Sequence, residues 1–139
     1  MAKHHTRAGG TKWLMNAEAG PLACNQWATR ARSLPYLRRV LIEVWGHESP
    51  AGKSLPALDF GRGMHHLGAF VSYCDGHRYI ELANGQRCVL ILMHEITHAL
   101  GHPWHNNGFI RRYLRLLKKY GRYEAGVLDE LAAARGIEL

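Results

Sequence analysis

MHEITHALGHPWHNNGF, residues 93–109, contains four histidines and one glutamate within a single short stretch. Its beginning, His94-Glu95-Ile96-Thr97-His98, matches the pattern H-E-x-x-H. Residues i and i+4 of a helix lie on one face, so the imidazoles of His94 and His98 can reach one metal ion. Glu95 points to one side of them, where it can take a proton from a water molecule that the metal activates. The stretch therefore predicts a zinc site with Glu95 as general base.

The helix that carries this pattern is predicted over residues 86–100, and most of its positions are apolar. Gly101 and Pro103 follow, and both residue types end helices. Two histidines and a carboxylate are costly to bury without a metal or strong hydrogen bonds. The apolar surroundings therefore favour metal binding over chance occurrence of the pattern.

The third ligand has three candidate positions. His105 follows a tight turn and can swing back toward the ion, which makes it the preferred ligand. His102 would share a face with His98 if the helix continued, but the glycine and proline argue against that. A distant carboxylate, Glu124 or Asp129, is the remaining alternative.

The rest of the chain predicts one α+β domain. Residues 1–20 are polar and punctuated by glycine, so we expect a loose N-terminal segment followed by a single domain over residues 21–139. Within that domain the pattern predicts N-terminal helices, a small sheet of about three strands, the buried metal helix and two C-terminal helices. The predicted strands are Ala57–Phe60, Leu67–Tyr73 and Arg78–Leu82, the last two joined by a hairpin turn at residues 74–77.

The charge and composition of the chain indicate which binding partners and which cellular compartment to expect. The chain has 139 residues and a net charge of +7, which permits an acidic partner such as nucleic acid. The predicted helix after His105 carries a basic cluster that is either a solvated face or a phosphate-contacting surface: Arg111, Arg112, Arg115, Lys118 and Lys119. No apolar run is long enough to cross a membrane, and no secretory signal is recognisable. We therefore expect a cytoplasmic protein, or one of the host cytoplasm or virion if a phage encodes it.

The H-E-x-x-H pattern, a short loop and then HNNGF over residues 105–109 resemble the SprT-like and WLM-type zinc metallopeptidases, in which a later H-x-x-x-F element supplies a third histidine. The stretch is more similar still to a family of small, functionally unassigned metallohydrolases of actinobacteria and their phages. This chain differs from them in having Asn106 where they usually have glycine. The resemblance implies a zincin-like fold, zinc ligands His94, His98 and His105, Glu95 as base, and Phe109 packed beneath the loop.

The predicted function is zinc-dependent hydrolysis, of a peptide bond in a protein or peptide substrate. One alternative keeps the zinc without turnover and makes the chain a structural or assembly protein, for example of a phage particle. Another is a DNA-associated protease of the SprT-like type, which would use the basic helix. Tyr113, one turn after Phe109, is a candidate for stabilising the oxyanion or for the core.

Overall fold

The computed structural model describes residues 2–61, 70–74 and 77–139. These residues form six α-helices, one 3-10 helix and three strands, joined by loops. The helices are α1 Ala2–Ala19, the 3-10 helix Pro21–Cys24, α2 Gln26–Thr29, α3 Leu34–Glu48, α4 Val89–Ala99, α5 Asn107–Tyr120 and α6 Ala125–Ala133. The strands are β1 Ala57–Phe60, β2 Phe70–Cys74 and β3 His77–Leu82. The predicted α+β class is confirmed, with helices as the larger part.

The sheet has the strand order β1-β3-β2. β1 pairs with β3 in parallel, with Ala57 opposite Tyr79, and β2 pairs with β3 antiparallel, with Cys74 opposite His77. β1 has the predicted bounds, and β3 begins one residue early. The first residues of the second predicted strand, 67–69, and the turn residues 75 and 76 lie outside the described residues. The central strand β3 places Ile80 and Leu82 in the core, against α4.

α4 is the buried central helix, as the sequence predicts. It contacts α2, α3, α5 and the sheet, and nearly all of its side chains are buried. It starts at Val89 rather than Gln86, because Gly85 adopts a left-handed turn (φ 86°) and the amide of Cys88 bonds back to the carbonyl of Gln86. It ends at Ala99, where Gly101 takes the left-handed conformation (φ 112°) that closes a helix C-terminus.

The prediction of a loose segment over residues 1–20 is wrong, because the backbone forms the helix α1 from Ala2 to Ala19. Its inward face carries Gly10, Thr11, Leu14, Ala17 and Glu18. Small and polar residues on that face hide the apolar periodicity that normally marks an amphipathic helix. Gly10 is buried because the backbone of His105 lies directly against it. Close approach of two backbones, rather than a turn, explains this glycine.

α3 begins at a side-chain cap and continues past a glycine near its end. Ser33 caps it by accepting a hydrogen bond from the amide of Tyr36, and Pro35 lies in its first turn. Its last turn continues through Gly46 to Glu48. Glu48 there bonds to α5, through Lys119 at 2.9 Å and the hydroxyl of Tyr120 at 2.8 Å. These tertiary contacts explain why the helix continues past the glycine.

In the described part of the chain, no helix combines the length and the apolar character that a membrane crossing requires.

The contact between α1 and the loop around His105 predicts a sharp difference between two neighbouring glycines. A Cβ at Gly10 would overlap the carbonyl oxygen of His105, whereas a Cβ at Gly9 would meet nothing within 4 Å. We expect Gly10→Ala to lower the free energy of unfolding by about 1–3 kcal/mol, since α1 or the loop must move. The measurement is urea unfolding followed by circular dichroism.

Gly9→Ala is the matched control, in the same helix and with the same added methyl group. It should leave stability unchanged or raise it by up to about 1 kcal/mol, because alanine is the better helix former. Similar stabilities for the two variants would contradict the packing of α1 against the loop.

Candidate metal centre

α4 presents His94 and His98 one turn apart on the same side of the helix. Their ring centroids are 5.1 Å apart. Both lie in the last two turns of α4, where the left-handed Gly101 reverses the chain direction. The helix thereby supplies two imidazoles at a spacing set by its own geometry.

The loop after Gly101 brings in a third imidazole. Asn106 begins α5 by accepting a hydrogen bond from the amide of Phe109 at 3.0 Å, and this cap fixes the residue just before it, His105. The Nε2 atom of His105 lies 3.1 Å from Nε2 of His94 and 3.1 Å from Nε2 of His98. A helix end, a loop and a capped helix start thus converge on one point.

Each histidine in this cluster has its other ring nitrogen held by a different group. Nδ1 of His94 donates to the Glu18 carboxylate at 2.7 Å, and Nδ1 of His98 donates to the carbonyl of His102 at 2.8 Å. Nδ1 of His105 is 2.9 Å from the hydroxyl of Thr11. Because a carboxylate and a carbonyl can only accept, the Nε2 atoms of His94 and His98 turn lone pairs toward the common point whenever their rings are neutral.

Both separations from Nε2 of His105 are close to the spacing that a metal ion requires. Nitrogens that bind zinc at about 2.0–2.1 Å in a tetrahedral arrangement lie roughly 3.3 Å from one another. The observed 3.1 Å separations are close to that value. His94, His98 and His105 therefore lie close enough together to hold one metal ion.

Phe109 supports all three imidazoles from below. Its fully buried ring has its centroid 5.0 Å from that of His94, 4.7 Å from His98 and 4.9 Å from His105. One rigid aromatic side chain on the first turn of α5 thus limits the tilt of all three rings. This position agrees with the predicted packing of Phe109 under the loop.

Glu95 is the acidic side chain that α4 places beside the converging nitrogens. Its Oε2 atom lies 3.9 Å from Nε2 of His94, and its side chain is only 4% exposed. Its Oε1 atom is buried and has no hydrogen-bond partner among the described residues. Burial, with the nearby negative charge of Glu18, raises the pKa of Glu95 to about 7 against the opposing effect of His94. A carboxyl group with such a pKa can both accept and release a proton near neutral pH.

The histidines differ in their own proton affinity. Burial lowers the pKa of His98 to about 4, with a further lowering from the charge of His94, so its ring is neutral at pH 7. Burial also acts to lower the pKa of His94, but the hydrogen bond and the charge of Glu18 outweigh it and the pKa is raised. The Glu18 carboxylate therefore makes the imidazole of His94 more basic than that of His98.

The other candidate ligands lie elsewhere. His102 contributes its backbone carbonyl to His98, and its imidazole is not part of the cluster found in the described residues. Glu124 is exposed at the start of α6. Asp129 is exposed on α6 and lies 3.3 Å from the ammonium group of Lys118. Of the alternatives weighed from the sequence, the structure brings only His105 to His94 and His98.

Sequence reasoning missed two residues of the site, Thr11 and Glu18. Both lie on α1, two turns apart on one face, in the segment that was expected to be loose. One signal was available: Glu18 is the only acidic residue in the first 42 positions of a basic chain. Tyr113, considered as a core residue or oxyanion donor, is fully buried and donates its hydroxyl to Glu18 at 2.8 Å.

The basic cluster on α5 is largely paired with acidic side chains. Arg112 and Lys119 contact Glu48 of α3, and Lys118 contacts Asp129 of α6. Burial raises the pKa of Glu48, but hydrogen bonds from Lys119 and Tyr120 outweigh it, so that this pKa lies below its ordinary value. Arg111 and Arg115 complete the cluster, and Arg115 is exposed. Nucleic-acid contact through this face stays a prediction.

No protein-family model, no curated protein and no solved structure matches this chain.

The geometry predicts that substitutions of His105 and of His102 affect zinc binding differently. We expect His105→Ala to weaken zinc binding by at least about 100-fold, because it removes a nitrogen at the common point rather than a supporting group. His102→Ala is the matched control, since it keeps the backbone carbonyl that holds His98. Competition with a chromophoric chelator measures both affinities.

Zinc affinity that falls in His102→Ala and persists in His105→Ala would contradict the assignment of the third nitrogen. Thermal unfolding of both metal-free variants checks that each is folded.

Proposed function

We propose that this protein is a zinc-dependent hydrolase of zincin-like architecture that cleaves peptide bonds, in the manner of the SprT-like and WLM-type metallopeptidases that its sequence resembles. The metal ligands in this proposal are His94, His98 and His105, and the general base is Glu95. A cytoplasmic protein or peptide would be the substrate. The support comes from the donor set, from the buried carboxylate beside it and from the order of these residues along α4 and the following loop.

The donor set fits zinc. Imidazole nitrogen is a favoured zinc ligand, and sets of three histidines occur in catalytic zinc sites. The second ring nitrogens of His94 and His98 donate to a carboxylate and a carbonyl, which keeps Nε2 available as the ligand atom. Among the described residues the cluster has three members, which is the number of protein ligands that catalytic zinc sites use.

Glu95 is the observation that carries the proposal of catalysis. A buried carboxylate with an unpartnered oxygen is unfavourable in a protein interior and needs an explanation. Neighbouring positions of α4 are filled by apolar side chains such as Met93 and Ile96, both fully buried, so packing alone does not require a charge here. A proton-transfer role supplies the reason, because the base must lie beside the nucleophile.

The chemistry divides between the ion and the chain. A zinc ion held by three histidines acts as a Lewis acid, which polarises a carbonyl group and makes a water molecule easier to deprotonate. Glu95 takes the proton from the water molecule whose oxygen attacks the carbonyl carbon. It then delivers that proton to the amide nitrogen as the carbon–nitrogen bond breaks. Phe109 holds the histidine rings in place throughout, because its ring contacts all three.

The principal rival is a zinc protein without turnover, and Glu95→Gln distinguishes the two. This substitution keeps the shape of the side chain and removes its ability to accept a proton. We expect the rate of peptide cleavage to fall by about 10²–10⁴-fold, with zinc content unchanged. Zinc is measured by mass spectrometry of the purified protein, and cleavage with a fluorescently labelled unfolded protein as substrate.

Glu43→Gln is the matched control, an exposed glutamate on α3 that receives the same chemical change. It should cleave at the wild-type rate. A wild-type protein that holds stoichiometric zinc and cleaves no faster than Glu95→Gln would favour the structural or assembly role.

A further inference from the structure

α1 reaches two of the three histidines in the candidate metal centre. Thr11 lies beside Nδ1 of His105, and Glu18 beside Nδ1 of His94. They stand seven residues apart, which is two turns of one helix and therefore one face. The other residues of that face, Gly10, Leu14 and Ala17, are buried.

Glu18 is held in place from a second direction. Its Oε2 atom accepts from Nδ1 of His94 at 2.7 Å and from the hydroxyl of Tyr113 at 2.8 Å. Tyr113 belongs to α5, is fully buried, and has its ring centroid 5.5 Å from that of His94. The carboxylate is 16% exposed. One oxygen atom thus joins α1, α4 and α5 at the edge of the metal centre.

This arrangement constrains the orientation of His94. An imidazole on a helix can rotate about its terminal torsion, and only one ring orientation directs Nε2 to the point shared with His98 and His105. The bond from Nδ1 to Glu18 selects that orientation and the tautomer with the proton on Nδ1. The negative charge of the Glu18 carboxylate also increases the electron density of the His94 ring, which strengthens Nε2 as a ligand.

We infer that Glu18 is a positioning residue of the metal centre, which orients His94 through Nδ1 and is itself oriented by the hydroxyl of Tyr113. The inference rests on the metal-binding part of the proposed function and is independent of whether the protein turns over a substrate. It gives α1 a role that its sequence does not suggest, because the helix supports the ligands without supplying one.

Zinc affinity of the whole 139-residue chain, measured by chelator competition, tests this role. Glu18→Ala removes the hydrogen bond and the charge, and should weaken zinc binding by about 10–100-fold. Glu18→Gln keeps an oxygen that can accept from Nδ1, and should recover most of the affinity. Tyr113→Phe keeps the buried ring, frees Glu18 from its second donor, and should cause a smaller loss than Glu18→Ala. Asn16→Ala, an exposed change on the same helix, is the control and should bind as the wild type does.

Cobalt substitution provides a readout that a purely structural role would not change. The visible spectrum of bound Co²⁺ reports the geometry of its ligands. It should be the same in the wild type, Asn16→Ala and Glu18→Gln, and altered in Glu18→Ala. Thermal unfolding of the metal-free variants separates loss of affinity from loss of folding.

The outcomes distinguish this inference from the proposed function. Wild-type affinity and an unchanged cobalt spectrum in Glu18→Ala would overturn the positioning role alone, and a wild-type protein that binds no zinc would overturn both proposals. If Glu18→Ala does not fold, Tyr113→Phe decides: weaker zinc binding supports the inference, and unchanged binding overturns it.

Discussion

The convergence of three imidazole nitrogens on one point is the constraint on which the remaining architecture depends. Two of them come from α4, where helix geometry sets their spacing. The third requires the chain to stop, turn and return within a few residues, which the left-handed Gly101 and the Asn106 cap accomplish. α5 then starts beside the site, and its first buried aromatic residue, Phe109, lies against all three rings.

Buried carboxylates give the site its electrostatic character. Glu18 and Glu95 approach the histidine cluster from different elements, and both are largely removed from solvent. Two buried carboxyl groups near three imidazoles favour a cation, because the cost of burying their charged forms falls when a positive charge lies close to them. Metal binding and the stability of this region should therefore be linked, since an ion that binds only the folded protein stabilises it.

Sequence patterns predicted those parts of the molecule whose local signals agree with their tertiary role. α4, its stop at Gly101 and the three strands follow from apolar periodicity and turn residues, and the end of the helix favours His105 over His102 as the third ligand. α1 did not follow, because its packing face is built from Gly10, Thr11, Ala17 and Glu18 around one large apolar residue, Leu14. Gly9 and Gly10 are typical of a loop in the sequence, whereas Gly10 allows a close contact with the backbone of His105 that only the folded structure reveals. The contact between Glu18 and His94 was hidden for the same reason, because it depends on the packing of α1.

A crystal structure of the protein with zinc, with anomalous diffraction recorded at the zinc absorption edge, tests the central claim most directly. We expect one anomalous peak, bound by Nε2 of His94, His98 and His105 at about 2.0–2.1 Å, with no fourth protein ligand and with Glu95 beside the ion. An ion bound elsewhere, or one enclosed by four protein side chains, would contradict a catalytic metal centre at this position.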